Sequence, residues 1–414
     1  MPRFNGIPYP ISGKHITNSR FGIRYPNFQI VAKMLVFPPP KTSMQTKIPA
    51  ILFRGGTSKG PLFLAQDLPR SRDVLDRVLL AAMGSPHPRQ VDGIGGAESL
   101  TSKVAIVSKS TRPDIDIDYL FVQINPNSPI VDYSSNCGNM LSALGPFAIE
   151  KGLVKADVSG RTTVRIYNLN TDSLITVELE TPEGEVTYEG AAAIDGVPGT
   201  AALVRQNFAG TVGSKTKKLL PTGKLQEVID GIEVTCIDVA VPAVLIPASA
   251  VGKTGHETKA ELDADLELIK RLNTIRVEAG KRMGMGDCTD FVVPKPMLVS
   301  APRFGGTITS RDFVPYNCHA THSVTGAMAL ATACAMAGTT AADVMGEVKD
   351  GVVVIEHPSG TMEIGIRTSG TGEYFQLHDA NLARTCRKLF EGFVCIPGGI
   401  WNGEDRAASC DDIA

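Results

Sequence analysis

Residues 135–139, Ser-Asn-Cys-Gly-Asn, are the segment of the chain whose residue types are best suited to chemistry. A nearly all-apolar stretch, residues 140–149, follows directly, so the pattern predicts a buried helix with Cys137 at its N-terminal end. The free backbone N–H groups and the positive dipole of a helix N-terminus favour a thiolate and attract carboxylates. Most free cysteines are simply small core residues, but polar neighbours set Cys137 apart from the other cysteines. This segment could therefore provide both a proton acceptor and an anion site.

Two glycine-rich turns precede this segment. Residues 54–60, Arg-Gly-Gly-Thr-Ser-Lys-Gly, join two strand-like stretches and lack the G-x-x-x-x-G-K-[S/T] order of a phosphate-binding loop. Residues 93–96 lead to Lys103, which heads the apolar strand at residues 104–107. A lysine in that place is ordinarily a surface residue. If the ligand is a polyanion, the expected clamps are Arg54, Lys59 and Arg303, with the backbone N–H groups of Gly55, Gly56, Gly138 and Asn139.

The composition excludes several classes of protein. A length of 414 residues predicts two domains or more, and a formal net charge of -2 gives no basic field to attract nucleic acid. Eight cysteines without a C-x-x-C pair favour a reducing compartment, and the absence of an apolar run of about 18 residues argues against a membrane span. His319 and His322 form H-x-x-H without a further ligand set, so we expect no metal.

The first 66 residues contain no Asp or Glu, although they carry several Lys and Arg residues. Such a start is typical of a mitochondrial transit segment, but a disordered extension or a start at Met34 or Met44 fits equally well. We expect a cytoplasmic protein, with the mitochondrion as the alternative. Residues 1–45 are predicted to be a basic extension outside the folded protein.

The elements that must position these residues are mostly strands around two apolar helices. Strands are predicted at residues 118–123, 163–167 and 174–180, and a surface helix at residues 73–83. The second half repeats the plan, with a second apolar helix at residues 324–337. The Asn-Cys pairs begin at 136 and 317, which is 317 minus 136, or 181 positions apart, as two tandem copies of one domain would give. Pro146 is predicted to kink the first helix or to delay its start.

Six ordered motifs resemble the PrpF-type isomerases, a family that includes methylaconitate, aconitate and methylitaconate isomerases and 4-oxalomesaconate tautomerase. The resemblance covers about residues 46–400, and its motifs lie at residues 54–60, 92–96, 101–107, 136–139, 357–360 and 389–392. It implies an α/β (α+β) protein with two similar diaminopimelate-epimerase-like domains, each a β-barrel-like sheet around a central helix, and an active site in the cleft between them. The expected domains are residues 46–205 with 381–414, and residues 206–380.

The resemblance also implies roles for individual residues. Lys103 and Cys137 match the lysine and cysteine implicated in proton transfer, and Ser58 lines the same site. His322 is expected where a racemase of this fold places its second catalytic cysteine, although a capping or core histidine fits as well. Thr57 and Ser102 complete the predicted substrate contacts within their motifs.

The implied reaction is a 1,3-proton shift that moves a double bond in a small unsaturated polycarboxylate, without a cofactor. Our first choice of substrate is of the aconitate type, cis-aconitate, trans-aconitate or methylaconitate. The alternatives are 4-oxalomesaconate and a related carboxylate of secondary metabolism. A two-thiol amino-acid epimerase and a catalytically silent carboxylate-binding protein are the competing hypotheses. We expect no nucleic-acid or membrane partner, and a homodimer is left open.

Overall fold

Strands dominate the part of the chain that the computed structural model describes, which is residues 45–414 apart from 209 and 315. In chain order β1 to β16 are Gln45–Gly55, Ser58–Leu64, Lys103–Lys109, Ile117–Ile124, Val131–Asp132, Gly160–Asn168, Ser173–Thr181, Leu203–Asn207, Glu227–Ile229, Ile232–Val239, Val241–Pro247, Lys295–Ser300, Ile308–Asp312, Val352–His357, Gly360–Ser369 and Gln376–Pro397. The helices α1 to α6 are Arg72–Met83, Gly138–Leu141, Leu144–Glu150, Lys259–Ala264, Leu266–Arg282 and Val324–Cys334.

All sixteen strands belong to one mixed sheet whose pairing pattern occurs twice. The run β1, β2, β3, β4, β6, β7, β8 pairs in the order antiparallel, parallel, antiparallel, parallel, antiparallel, antiparallel. The run β10 to β16 pairs in the same order. The long strand β16 also pairs with β8 and β1 and so closes the first run into a ring. The repeated pattern is what a duplicated fold predicts, whereas the domain boundaries given above stay a prediction.

The helices occupy matching places in the two runs. The helix α3 lies between β4 and β6 in the chain, α6 lies between β13 and β14, and both belong to one buried cluster enclosed by strands. Every residue of α6 is buried, which explains why this helix is apolar on all sides. The helices α1 and α5 pack on the outer faces of the strands in two smaller clusters. The architecture is therefore a large curved sheet with two helices inside it.

Most predicted elements are confirmed, with one informative break. The apolar stretch after Cys137 forms two helices, α2 and α3, separated by residues 142–143. Pro146 lies in the first turn of α3, where its missing N–H would have had no partner within the helix. The delayed start that Pro146 predicted is thus confirmed. The second inner helix ends at Cys334, earlier than predicted.

No helix in the described residues is long and apolar enough to cross a membrane. The predicted basic extension at residues 1–45 lies almost wholly outside the described residues. Its targeting role therefore stays a prediction.

Candidate active site

Cys137 is the residue that precedes α2, as the sequence pattern predicted. Its side chain is buried, and its Sγ lies 3.8 Å from the Oγ of Ser58 in β2. The next residue, Gly138, faces the start of α6, because a Cβ built on it would lie 2.5 Å from the side chain of Val324. The starts of α2 and α6 therefore meet at the thiol.

Lys103 is the first residue of β3 and is buried, with 7% of its surface exposed. The backbone of β2 approaches it closely, since a Cβ on Gly60 would lie 1.9 Å from the carbonyl oxygen of Lys103. Its Nζ donates to the Oε1 of Gln123 at 2.8 Å, and it lies 5.2 Å from the ring centre of Phe121. The Nε2 of Gln123 donates to the carbonyl oxygens of residues 99, 102 and 124, so its oxygen must face the lysine.

Burial lowers the pKa of Lys103 below the ordinary lysine value, and repulsion from Lys295 adds to this effect. The nearby Cys137 acts in the opposite sense, because a thiolate favours the charged amine. The net direction is downward, so the neutral amine is more accessible than for a surface lysine. A neutral Lys103 still donates one N–H to Gln123 and keeps its lone pair for a proton.

A small, partly enclosed cavity of about 20 Å³ joins these groups to residues of the second half. Its lining comprises Lys103, Gln123, Ser135, Asn136, Cys137, Gly138, Asn139, Val292, Lys295, Val314, His319, Ser323, Val324 and Thr325. A larger open cavity beside it shares Gln123, Val292 and Val314 with this lining. The shared residues show that the two cavities adjoin.

The second half contributes a buried charged set to the cavity. Lys295 is the first residue of β12, is 5% exposed, and makes no ion pair within the described residues. Asp312, at the end of β13, accepts a hydrogen bond from the N–H of Ser323 at 3.0 Å. Burial would raise the pKa of Asp312, but the positive charge of Lys295 and the hydrogen bond from Ser323 lower it below the ordinary value. Asp312 is therefore a buried anion close to the cavity lysines.

His319 lines the cavity in a defined tautomer. The N–H of Thr321 donates to its Nδ1 at 3.1 Å, so Nδ1 carries no proton. Burial lowers the pKa of His319 well below its ordinary range. The ring is therefore neutral with its proton on Nε2, for which the described residues provide no partner. His319 presents a neutral N–H donor.

Two further polar groups of the lining lack partners. Both amide atoms of Asn136 and the Oγ1 of Thr325 are buried without a hydrogen bond in the described part of the chain. Buried polar groups are normally paired, and an unpaired one costs about 1–3 kcal/mol. These groups are thus available to a ligand with hydrogen-bonding oxygens.

Several predicted contacts gather around the start of α2. The N–H of Thr57 donates to the Oδ1 of Asn139 at 3.3 Å, and its Oγ1 lies 3.0 Å from that of Thr321. Gly56 adopts a positive φ, and a Cβ there would lie 2.1 Å from the same Asn139 oxygen. With Gly55, which contacts the Asn139 backbone, the glycine turn supports the cavity wall.

Other predicted clamps lie outside the lining of the cavity. Arg54 donates to the carbonyl oxygens of residues 56 and 385, and the Oγ of Ser102 donates to Gln90. Lys59 lies beside Gly96, and the guanidinium of Arg303 lies 5.6 Å from the ring centre of Phe304. Their roles in substrate binding stay predictions, and the structure does not bring them to Cys137.

His322 lies where the alternative expectation of a core histidine put it, and its role in substrate binding stays a prediction. The residue that caps α6, in the place that Cys137 occupies before α2, is Ser323. His322 is fully buried, with Nδ1 3.0 Å from the carbonyl oxygen of Ser323 and Nε2 3.1 Å from the Oγ of Ser310. Both ring nitrogens are occupied, so this histidine supports the loop from outside the cavity lining.

Sequence reasoning missed Gln123, Asn136, Lys295, Thr325 and the donor role of His319. The duplicated plan held a signal for one of them, since Lys295 heads the strand that matches the strand of Lys103. The others depend on contacts between distant segments. Within the described residues, no three His, Cys, Asp or Glu residues converge as metal ligands would.

Comparison with known proteins adds to this geometry. A model of the PrpF protein family matches residues 45–397. The chain is 47% identical over 367 residues to the 4-oxalomesaconate tautomerase of Pseudomonas putida, covering 87% of this chain and 99% of that protein. A crystal structure of methylitaconate-delta-isomerase, 34% identical, superposes with a TM-score of 0.68 over 86% of this chain and 97% of that one.

A more distant structure bears on the fold alone. A hydroxyproline epimerase from Agrobacterium vitis, 11% identical, superposes with a TM-score of 0.54 over 86% of this chain and 96% of its own. The fold described above, a large mixed sheet with a few helices, is thus shared with this epimerase. The predicted epimerase-like fold is confirmed at this level.

Proposed function

Since the chain is an isomerase of the PrpF family, we propose that it moves a carbon–carbon double bond by a 1,3-proton shift in a small unsaturated polycarboxylate. The observation that carries the proposal is the buried Lys103 next to Cys137 in a cavity that Lys295 also lines. These groups supply a base, an acid and positive charge, which are the three requirements of such a shift.

The scheme starts from Lys103 as the neutral amine and Cys137 as the thiol. A neutral Lys103 removes a proton from the carbon next to a carboxylate, which becomes an enolate-like dianion while the amine becomes an ammonium. The Cys137 thiol returns a proton to the carbon two positions away, and the double bond moves between them. The resulting ammonium and thiolate are neighbours, so a proton passing from Lys103 to Cys137 restores both groups. The scheme needs no cofactor.

The assignment of Lys103 as the base in this direction is supported by its surroundings. Burial lowers its pKa, and Gln123 fixes one N–H while leaving the lone pair free. In the reverse direction Cys137 removes the proton and Lys103 returns one, as microscopic reversibility requires. Both groups therefore act in either direction.

The substrate is the finer part of the proposal. The identity of 47% with a 4-oxalomesaconate tautomerase favours 4-oxalomesaconate over the aconitate type that the sequence motifs put first. Both substrates are unsaturated tricarboxylates, and the cations and unpaired polar groups of the cavity suit either. We therefore rank 4-oxalomesaconate first, followed by methylaconitate and cis-aconitate.

Deuterium exchange tests the proposal directly. The purified protein is incubated in deuterium oxide with 4-oxalomesaconate, methylaconitate, cis-aconitate and methylitaconate in separate samples, and NMR follows exchange and product formation. We expect deuterium at both ends of the shifted double bond for one of the four. No exchange in any sample would refute the proposal.

Two controls separate the competing hypotheses. Free proline and diaminopimelate are included, because inversion of an amino acid would support the two-thiol epimerase, for which Ser323 lacks the thiol. Binding of a tricarboxylate without turnover of any compound would support a silent binding protein. A reducing compartment, the cytoplasm first, suits the eight unpaired cysteines.

A further inference from the structure

The second half of the chain carries a counterpart of the Lys103 and Cys137 pair. Lys295 is the first residue of β12, as Lys103 is of β3, and these strands match in the repeated pairing pattern. Ser323 caps α6, as Cys137 precedes α2. All four residues line the same cavity. The counterpart lacks a thiol, and its serine hydroxyl accepts from the N–H of Gly326 at 3.3 Å, so it is poorly suited to proton transfer.

Lys295 is nevertheless held in the cavity as a cation without an ion pair. Its side chain is almost fully buried, and the described residues place no carboxylate within 4.0 Å of its Nζ. The buried anion Asp312, whose pKa Lys295 lowers, lies beyond that distance, so no carboxylate contacts the amine directly and a ligand anion could do so. The cavity that Lys295 lines is the place from which such an anion would approach.

His319 lies in the same lining with its free Nε2–H. Its orientation is fixed from behind, since its backbone N–H donates to the carbonyl oxygen of Asp312 at 2.7 Å and Nδ1 is held by Thr321. A positioned neutral donor stabilises an oxygen that gains charge in the transition state, without the need for a proton transfer. The loop thus places a histidine with an unpaired N–H in the lining that also includes Lys295.

We propose that Lys295 and His319 form the subsite for the substrate carboxylate that becomes the enolate, with Lys295 as its counter-ion and His319 donating to the oxygen that gains charge. This assignment rests on the proposed 1,3-proton shift and gives the two halves different tasks. The first half moves protons, and the second half holds the charge that the proton leaves behind. Neither Lys295 nor His319 exchanges a proton with the substrate in this scheme.

Binding of a non-reacting anion tests the Lys295 part of the subsite. Isothermal titration calorimetry with tricarballylate, a saturated tricarboxylate, is performed on the wild type, Lys295→Met and Lys295→Arg. We expect at least a tenfold increase in Kd for Lys295→Met and a smaller one for Lys295→Arg. Lys388→Met is the matched control, because Lys388 in β16 pairs with Glu150 and Glu391 and does not line the cavity. Equal affinity of Lys295→Met and the wild type would overturn the assignment.

Steady-state kinetics on the compound that the wild type turns over tests His319. His319→Leu removes the donor, and we expect kcat to fall about 100- to 1000-fold with a smaller change in KM, as for the loss of an oxyanion donor. His319→Gln keeps an N–H donor, and its kcat is expected to be at least tenfold higher than that of His319→Leu. Circular dichroism and thermal denaturation confirm folding of each variant. Equal losses in folded Leu and Gln variants, or an unchanged kcat, would refute the donor role.

The two proposals fail in different ways. If the wild type turns over nothing, the proposed function is wrong, while the tricarballylate experiment still decides whether Lys295 binds a carboxylate. If the wild type exchanges deuterium but Lys295→Met binds and reacts as the wild type does, only the subsite is wrong.

Discussion

Replacing Gln123 by glutamate tests whether Lys103 must be neutral to act. The two residues are cross-strand partners in β3 and β4, and the Oε1 of Gln123 lies 2.8 Å from Nζ. The substitution keeps the length of the side chain and places a carboxylate against the amine. An adjacent carboxylate favours the charged lysine, so the pKa of Lys103 rises.

The size of the effect follows from the separation of the charges. With about 4 Å between charge centres and an effective dielectric constant of about 20, the attraction is about 4 kcal/mol. One pKa unit corresponds to about 1.4 kcal/mol, so the shift is about three units. The neutral fraction of Lys103 then falls about a thousandfold at any pH below both values, and kcat/KM near neutral pH should fall by a similar factor.

The assay is the pH profile of kcat/KM for the compound that the wild type isomerises. The ascending limb of Gln123→Glu should move to higher pH, and the activity should recover towards the alkaline end. Gln123→Met is the matched control, because it removes the acceptor without adding charge, and its limb should not move upward. Both variants lose the donors to residues 99, 102 and 124, so thermal denaturation measures that shared cost. An unshifted profile in folded Gln123→Glu would refute Lys103 as the base.

Four further substitutions test other parts of the site. Cys137→Ser should lower kcat about 100- to 10,000-fold and retain tricarballylate binding by calorimetry; a loss below tenfold would contradict its role in proton transfer. Gly60→Ala should destabilise the fold by about 1–3 kcal/mol in urea unfolding, because its Cβ meets the Lys103 carbonyl oxygen; an unchanged midpoint would argue against this contact. His322→Leu should cost about 1–3 kcal/mol and leave KM unchanged, whereas a raised KM at full stability would restore its predicted substrate contact. Asp312→Asn should be less stable to unfolding than the wild type, by an amount that is constant above about pH 4 and shrinks at lower pH. The reason is that the lowered pKa of Asp312 stabilises the fold only while the carboxylate is ionised; a difference that persists in acid would contradict this.

The first half of the site was accessible to sequence reasoning because its signals are local. Cys137 is marked by its polar neighbours and the apolar stretch that follows, and Lys103 by its place in front of a buried strand. The glycine turn at residues 54–60 also lies at the site, but its glycines serve close packing against Asn139 more than anion binding. A short motif can reveal that a turn is special without revealing what approaches it.

The site residues of the second half were harder to predict because they are identified only by how distant segments pair and pack. Lys295 has no motif of its own, and only the repeated strand order identifies it as the counterpart of Lys103. His322 and Ser323 differ by one position, and cap geometry decided which of them faces the cavity. The tautomer of His319 depends on a backbone N–H two residues away, a contact that composition and spacing do not encode.

The two matching halves carry different residues before their inner helices, and this difference fits the stereochemical needs of the reaction. Inversion at one carbon requires proton-transfer groups on opposite faces of that carbon, and a duplicated fold with a thiol before each inner helix suits that task. A 1,3-shift instead removes and returns the proton at two carbons, which adjacent groups from one half can serve. Here Lys103 and Cys137 are neighbours within the first half, whereas Ser323 stands in the second thiol position. The second half is thereby free to bind charge, and Lys295 and His319 give it the cation and the donor to do so.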